Sequence, residues 1–160
     1  MSLKLSLVSK KKIIQLKAWL NEDFKTHKSA FICLIYGAGK KNHYQLAEDL
    51  GKQSNKRVYK INLSEIVSTY IGETEKNLGI LLKKIENRDW ILFFDEADAL
   101  FGKRTEVSES HDKYANQEVS YFLEKLCKYK GLILLSSRFK LNLSPILLKR
   151  LDLSIAIHKQ

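Results

Sequence analysis

The run from Trp90 to Asp98 constrains the fold of this chain more than any other feature. Five apolar residues, WILFF, lead directly into the adjacent carboxylates Asp95 and Glu96. A strand covered on both faces is apolar throughout, and its first polar residue lies at the carboxyl edge of the sheet, where open α/β sheets bind ligands. The run therefore predicts a central parallel strand in which Asp95 holds Mg²⁺ through water and Glu96 polarises an attacking water. The plainer alternative is a buried strand followed by an acidic helix N-terminus, which the helix dipole favours.

Length and cysteine usage favour a single domain in a reducing compartment. A chain of 160 residues can bury enough surface to form a core without covalent cross-links. Cys33 and Cys127 both lie in apolar segments, so we interpret them as core residues rather than as a disulfide or metal ligands. No segment approaches the roughly 20 apolar residues that span a bilayer, and no apolar run of signal-peptide length opens the chain, so we expect a cytoplasmic protein with no membrane partner.

The net charge of +10 could suit a polyanionic partner. The lysines, however, occur as short scattered groups instead of one stripe, and no nucleic-acid recognition motif accompanies them. We therefore expect most of these lysines to lie on solvated helix faces, and we do not expect nucleic acid to be the partner. A basic scaffold for polyanions stays open as a minor alternative, and it would bind with a steep dependence on salt.

Helical and extended patterns alternate along the chain. Leu3, Leu5 and Leu7 alternate with polar residues and predict a short extended segment, which a helix over Ile13–Phe24 follows. Five strands with helices between them imply a doubly wound parallel sheet, that is, a three-layer αβα sandwich. Strands are predicted at 31–36, 58–61, 90–94, 132–135 and 153–157, helices around 46–50, over 64–69 and 74–85, around 119–126 and over 145–150, and a loop over 102–112.

Three further segments accompany the acidic strand in the order found in a known family. They are Ser68–Leu78 (STYIGETEKNL), Gly102–Arg104 (GKR) and Lys149–Asp152 (KRLD). With the run at Asp95, which is similar to a Walker B strand, they resemble the large subdomain of AAA+ ATPases, a branch of the P-loop NTPase superfamily. The resemblance covers nearly the whole chain. It implies ATP and Mg²⁺ as ligands, a five-stranded parallel sheet in the order 5-1-4-3-2, and a homo- or hetero-oligomeric ring, such as a hexamer, that acts on a protein substrate or assembly partner.

The resemblance also implies a domain organisation. Residues 1–30 would form the N-terminal extended segment and amphipathic helix, and residues 31–160 the AAA+ nucleotide-binding core. Because the sequence ends soon after Ile157, the small helical lid that follows this core in the family is expected to be missing. More narrowly, Phe101–Val107 and His111–Gln117 resemble the AAA+ ATPases encoded beside phage-tail-like contractile injection particles.

The phosphate loop is where the chain departs from the family. The pattern G-x-x-x-x-G-K-[ST] cradles phosphate with backbone N–H groups, brings its lysine to the outer phosphates and offers a hydroxyl to Mg²⁺. The family helix carries an alanine four residues after the lysine and an aliphatic residue three further on. Ala47 and Leu50 satisfy this spacing only if His43 stands at the lysine position. The eight positions of the predicted loop are then Gly37, Ala38, Gly39, Lys40, Lys41, Asn42, His43 and Tyr44.

In this register three of the four defining residues are replaced, so we expect a degenerate Walker A loop with impaired nucleotide binding. Asn42 tolerates a left-handed backbone and could preserve the path of the loop. His43 is shorter than lysine and mostly neutral at pH 7, and the Tyr44 ring would displace the metal. Lys40 and Lys41 could still reach phosphates from within the loop. A shortened loop built on Gly39 and Lys40 is the alternative, and the helix register argues against it.

Other family positions are partly preserved. Ser137 follows the fourth strand where the family usually carries a water-orienting asparagine, and its hydroxyl could act through a bridging water. Arg150 matches the arginine finger that reaches a neighbouring subunit's nucleotide, although a solvated arginine is the plainer interpretation. Tyr70, Ile71 and Gly72 resemble the first pore loop, which grips extended polypeptide in a ring, and residues 102–112 resemble the second. The alternative for Tyr70 is a core aromatic at a helix end.

Two classes of function therefore stay open. The first is an ATP-driven remodelling or assembly factor in which Glu96, Asp95, Ser137 and Arg150 are catalytic. The second is a pseudo-ATPase, that is, a folded AAA+ core that binds a partner or joins a ring of active relatives. The preserved acidic pair favours the first class, whereas the altered loop favours the second, and we lean towards impaired catalysis.

Overall fold

The computed structural model describes residues 5–70, 72–102 and 109–158, with side chains described throughout these ranges except at 109–116 and 141. Strands and helices alternate along these ranges as the sequence predicts. The strands are β1 (Phe31–Gly37), β2 (Arg57–Asn62), β3 (Trp90–Asp95), β4 (Leu132–Ser137) and β5 (Leu153–Ile157). The α-helices are α1 (Leu7–Leu20), α2 (Lys40–Ser54), α3 (Leu63–Ile66), α4 (Glu73–Ile85), α5 (Asp98–Phe101), α6 (Glu109–Cys127) and α7 (Pro145–Leu148), with single 3₁₀ turns at Phe24–Thr26 and Lys140–Asn142.

The five strands form one parallel sheet in the order β2-β3-β4-β1-β5. This order is the predicted 5-1-4-3-2 read from the other edge, so the predicted αβα fold is confirmed. Tyr36 pairs with Ser137, and Asn62 pairs with Asp95. The carboxyl ends of β1, β3 and β4 therefore meet at one edge of the sheet, which is where parallel sheets bind their ligands.

Strand β3 explains why helices cover both faces of this sheet. Leu92 and Phe94 belong to one hydrophobic cluster, whereas Ile91 and Phe93 belong to the cluster on the other face. Successive side chains of a strand point to opposite faces, so a strand of large apolar residues needs a cover on each side. Both phenylalanines are fully buried. Each contributes about 1.5–3 kcal/mol of hydrophobic stabilisation, which fixes the strand that carries the acidic pair.

The first helix differs from its predicted bounds at both ends. Leu7 opens α1 instead of ending an extended segment, because the Ser6 side chain caps the helix by accepting a hydrogen bond from the N–H of Ser9 at 3.1 Å. Phe24 lies in a separate 3₁₀ turn after α1 has ended at Leu20. Leu3, the other part of the predicted extended segment, lies outside the described residues.

Three other predicted bounds also change. Helix α3 ends at Ile66 and α7 ends at Leu148, so residues 67–69 and 149–150 are not helical. Helix α6 begins at Glu109, so residues 109–112 are helical and not part of a loop. The remainder of the predicted loop, residues 103–108, lies outside the described residues.

Helix α1 lies along the outer edge of the sheet at β5. The hydroxyl of Ser9 donates a hydrogen bond to the Ala156 carbonyl oxygen at 3.0 Å, and the Lys12 ammonium donates one to the Ser154 carbonyl oxygen at 2.7 Å. An edge strand leaves such carbonyl groups unpaired unless another element covers them. The helix thus covers this edge of the sheet with side chains. None of the helices described has the length and apolar character needed to cross a bilayer.

Candidate functional site

Asp95 ends β3 at the carboxyl edge of the sheet, and both of its carboxylate oxygens already have partners. Oδ1 accepts a hydrogen bond from the N–H of Glu96 at 2.9 Å. Oδ2 lies 3.5 Å from the Lys60 ammonium nitrogen, which β2 brings alongside β3. The residue predicted to hold Mg²⁺ is therefore turned towards the expected cleft but paired with a cation of the chain itself.

Glu96 occupies a left-handed backbone conformation, with φ at +56°. Residues other than glycine rarely adopt this conformation, which costs about 1–2 kcal/mol and is found most often at functional sites. The next residue anchors the turn, because the N–H of Ala97 donates a hydrogen bond to the Ser136 carbonyl oxygen of β4 at 2.9 Å. The Glu96 carboxylate forms an ion pair with the Lys40 ammonium at the start of α2. The predicted water-polarising group is thus fixed against the first residue of a helix.

The connection between β1 and α2 consists of Ala38 and Gly39 alone. Gly37 and Gly39 have φ values of +111° and +86°, and α2 begins at Lys40. The prediction that the loop runs through Tyr44 is wrong, since Lys40–Tyr44 form the first turns of α2. Ala47 and Leu50 correctly identify the buried face of the helix, but a buried face does not determine where a helix begins. The helix is about one turn longer at its N-terminus than the family pattern predicts.

Hydrogen bonds explain why Lys41 and Asn42 are helical. Gly39 caps the helix, and its carbonyl oxygen accepts from the N–H groups of Asn42 at 2.8 Å and His43 at 3.3 Å. The segment after Gly39 contains no proline or glycine that would interrupt a helix before Gly51. Asn42 therefore uses helical backbone and not the left-handed conformation that the predicted loop required.

The backbone of this short connection is also tied to the sheet. The N–H of Gly37 donates to the Arg138 carbonyl oxygen at 3.1 Å, and the N–H of Ala38 donates to the Ile157 carbonyl oxygen at 3.0 Å. A Cβ atom at Gly37 would lie 2.1 Å from that same Ile157 oxygen, so only glycine fits there. These two N–H groups cannot cradle a phosphate without breaking their present hydrogen bonds.

His43 does not face the cleft. Only 1% of its surface is exposed, and its Nδ1 lies 2.9 Å from the Ser136 hydroxyl. Its buried Nε2 has no hydrogen-bond partner among the residues that the structure describes. Burial lowers the pKa of His43 from 6.5 to about 4, although the negative charge of Asp95 opposes the shift. The imidazole is therefore neutral at pH 7 and lies between α2 and β4. Sequence reasoning did not single out Ser136, whose signal is a hydroxyl residue at the end of an otherwise apolar strand.

The Tyr44 ring packs on strand β3 of the sheet. The ring meets Phe93 edge-on, with centroids 5.2 Å apart and planes inclined at 69°. The Lys60 ammonium nitrogen lies 4.8 Å from the centroid of the Tyr44 ring and so stands between this ring and Asp95. A cation held by a ring face and a carboxylate is stabilised by both. Lys60 thus supplies positive charge where the family would bind a metal.

These contacts test whether the site fits magnesium-bound ATP. Mg²⁺ requires oxygen ligands in near-octahedral geometry. Here Lys60 and Lys40 are paired with Asp95 and Glu96. The backbone that would surround a phosphate is shortened and bonded to the sheet, and His43 is buried. The described arrangement does not fit a magnesium-bound triphosphate unless the start of α2 moves.

Ser137 lies at the same edge of the sheet as the acidic pair, whereas Arg150 lies at the opposite edge. Ser137 is buried at the end of β4, and its hydroxyl donates to the Phe139 carbonyl oxygen at 3.4 Å. Arg150 precedes β5 at the amino edge of the sheet, opposite the edge that carries Glu96, and its guanidinium lies 3.9 Å from the Cys127 sulfur. Arg150 is exposed and cannot serve the Glu96 site of its own chain.

Tyr70 is 76% exposed, so the interpretation of this residue as a core aromatic is wrong. Its turn is fixed by a hydrogen bond from the Ser68 hydroxyl to a Glu73 carboxylate oxygen at 2.5 Å and by Gly72, whose φ is +79°. Ile71, the second predicted pore residue, lies outside the described residues. An exposed aromatic on a fixed turn before α4 suits contact with another molecule.

Comparison with known proteins identifies the family. The profile of the "ATPase family associated with various cellular activities (AAA)" matches residues 43–159, which is most of the chain. The chain belongs to the AAA ATPase family. The match begins at His43, so it does not include the short connection between β1 and α2.

Several AAA proteins are similar to this chain. Proteasome-activating nucleotidase 1 of Haloferax volcanii is 31% identical over 94 residues, covering 58% of this chain and 23% of the relative. The proteasome-associated ATPase of Streptosporangium roseum is 28% identical over 126 residues, covering 72% and 21%. The cell division cycle protein 48 homolog of Archaeoglobus fulgidus is 28% identical over 79 residues, covering 49% and 11%. The chain spans less than a quarter of the length of these AAA relatives.

Proposed function

We propose that this chain is a non-hydrolysing AAA subunit that acts within a ring on a protein partner. Its own cleft would be closed by the ion pair between Lys40 and Glu96. Its contribution to the ring would be structural, with Arg150 available to a neighbouring subunit and Tyr70 available to a polypeptide. Names of relatives such as proteasome-activating nucleotidase and proteasome-associated ATPase support a protein as the partner.

The observation that carries this proposal is the spacing of the two glycines before α2. The phosphate-loop pattern places four residues between its glycines. Here only Ala38 lies between Gly37 and Gly39, so the connection is three residues shorter than the pattern. Helix α2 begins directly after Gly39, and its first residue, Lys40, pairs with Glu96. A chain built in this way has lost the loop that binds phosphate.

Internal charge neutralisation supports the same conclusion. Without a metal, two adjacent carboxylates repel each other. Lys60 compensates Asp95, and Lys40 compensates Glu96. Mg²⁺ would have to displace Lys60 before it could approach Asp95. We therefore propose that the acidic pair now helps to hold β2, β3 and α2 together.

Calorimetric titration with ATP tests the proposal, with and without Mg²⁺. The unmodified chain should show no magnesium-dependent binding. A restored variant provides the matched comparison: three residues inserted after Ala38, together with Lys41→Thr, recreate the complete G-x-x-x-x-G-K-[ST] pattern. That variant should gain magnesium-dependent binding while its circular dichroism stays unchanged. Tight magnesium-dependent binding by the unmodified chain would refute the proposal.

One observation favours a second candidate, an active ATP-driven remodelling factor. Lys40 already stands at the start of the helix after β1, where the lysine of a phosphate loop belongs, and its present partner is Glu96. A triphosphate could take that lysine from Glu96 and free the carboxylate to polarise water. If the chain is such an active factor, the unmodified chain binds ATP and the Lys40→Met variant does not. If it is a non-hydrolysing subunit, neither the unmodified chain nor the variant binds ATP.

Association with contractile injection particles stays a prediction. It rests on Phe101–Val107 and His111–Gln117, and most of these residues fall outside the described backbone or side chains. Co-purification with the structural proteins of such a particle would test it.

A further inference from the structure

A basic groove opens at the amino edge of the sheet, on the opposite side of the domain from Glu96. It lies between the C-terminal ends of α4 and α6 and is closed at one end by the Phe24–Thr26 turn. The groove has a volume of about 760 Å³. This volume lies within the range of about 300–1000 Å³ that also suits a small molecule, so the chemistry of the lining, and not its size, decides which ligand fits.

Positive charge dominates the lining of this groove. Three of the described lining residues are acidic: Asp23, Glu86 and Asp89. Asp89 forms an ion pair with Lys56 at 2.6 Å, and Asp23 accepts a hydrogen bond from the N–H of Lys25 at 3.0 Å. The charge of Asp89 is therefore compensated within the fold. Among the described lining residues six are cationic: Lys25, Lys83, Arg88, Lys125, Lys128 and Lys130. Lys128 is itself paired with Glu124 at 3.4 Å.

The floor of the groove is apolar and rigid. Phe24, Ile85 and Tyr129 are buried, and Leu82 is half-buried beside them. The Tyr129 hydroxyl accepts from the N–H of Trp90 at 3.0 Å and lies 2.6 Å from the Trp90 carbonyl oxygen, so its polar atom is satisfied within the fold. A ligand on this floor meets apolar side chains, with the cations at the rim.

The aromatic faces near the groove already carry cations. The Lys125 ammonium nitrogen lies 5.4 Å from the centroid of the Tyr121 ring, and the guanidinium carbons of Arg88 and Arg57 lie 5.1 and 5.0 Å from the Trp90 ring. Proteins that bind single-stranded nucleic acid need free aromatic faces on which bases stack. An acidic polypeptide needs only the cations and the apolar floor.

We propose that this groove binds an extended acidic polypeptide segment of a partner protein, with carboxylates at the basic rim and apolar side chains on the floor. The groove shares no residue with the cleft around Glu96. Binding there is therefore independent of nucleotide, and it does not depend on the function proposed above.

Fluorescence anisotropy with a labelled oligoglutamate peptide containing interspersed leucines tests this proposal. The groove variant Lys83→Gln, Arg88→Gln, Lys125→Gln removes three cations that line it. The control variant Lys10→Gln, Lys11→Gln, Lys52→Gln removes three exposed lysines elsewhere.

The groove variant should bind the peptide about tenfold more weakly than the unmodified chain, because three charge contacts are lost, and the control should change less than about twofold. Equal weakening in both variants would overturn the proposal, since net charge alone would then explain the binding of the peptide. A second outcome would also overturn the proposal: the unmodified chain binds oligothymidylate more tightly than the peptide, and the groove variant, but not the control, loses this binding. The partner would then be nucleic acid. Thermal unfolding of both variants identifies any loss that comes from misfolding.

Discussion

Mild acid should destabilise this protein through His43. The buried imidazole has a pKa of about 4 in the folded chain, compared with 6.5 when it is exposed. Between these values the unfolded chain binds more protons than the folded one, so stability falls as the pH falls. The loss between pH 7 and pH 5 should be about 2 kcal/mol, since each pKa unit corresponds to about 1.4 kcal/mol. Most carboxylates titrate below this window.

Urea denaturation at pH 7, 6 and 5, followed by tryptophan fluorescence, measures this effect. His43→Asn keeps a polar group near the Ser136 hydroxyl but removes the titrating ring, so its stability should vary much less over the same pH range. His158→Asn, at an exposed histidine, is the matched control and should retain the full pH dependence of the unmodified chain. The reasoning fails if His43→Asn shows the same pH dependence as the unmodified protein.

Four further substitutions test the packing and the site. Phe93→Ala should cost about 3–5 kcal/mol in urea denaturation, because the ring is fully buried, and a cost below about 1 kcal/mol would contradict its place in the core. Gly37→Ala should cost at least about 2 kcal/mol through its left-handed backbone and its contact with the β5 carbonyl, and a neutral result would contradict the described connection. Lys40→Met should cost less than about 1 kcal/mol, since its ion pair with Glu96 is partly exposed and screened by solvent, and a larger loss of stability would contradict this partly exposed position. Tyr70→Ala should reduce any remodelling of a partner and change stability by less than about 1 kcal/mol, whereas a large drop in melting temperature would mark it as a core residue.

The sequence predicted the sheet better than it predicted the site. The β3 run and the other apolar segments determine which strands are buried, and chain connectivity then restricts the order, so the parallel sheet followed from pattern alone. Asp95 and Glu96 were correctly expected at the carboxyl edge for the same reason.

The beginning of α2 was not predictable in the same way. Ala47 and Leu50 report which side of the helix faces the sheet, but the first helical residue depends on local hydrogen bonds that Gly39 makes as the cap. The pairing of Lys40 with Glu96 and of His43 with Ser136 joins residues far apart in sequence. Neither pair has a periodic signal, so both required the three-dimensional structure.

The side chains of Ser9 and Lys12 have a practical consequence for anyone who shortens this protein. A version that begins at β1 would lose the two donors that occupy the Ala156 and Ser154 oxygens, and β5 would then offer a free ladder of backbone groups to a second molecule. Such a truncated chain should self-associate through strand pairing even if the cleft around Glu96 and the basic groove are intact. We therefore expect the helix before β1 to protect the domain from aggregation by covering this edge.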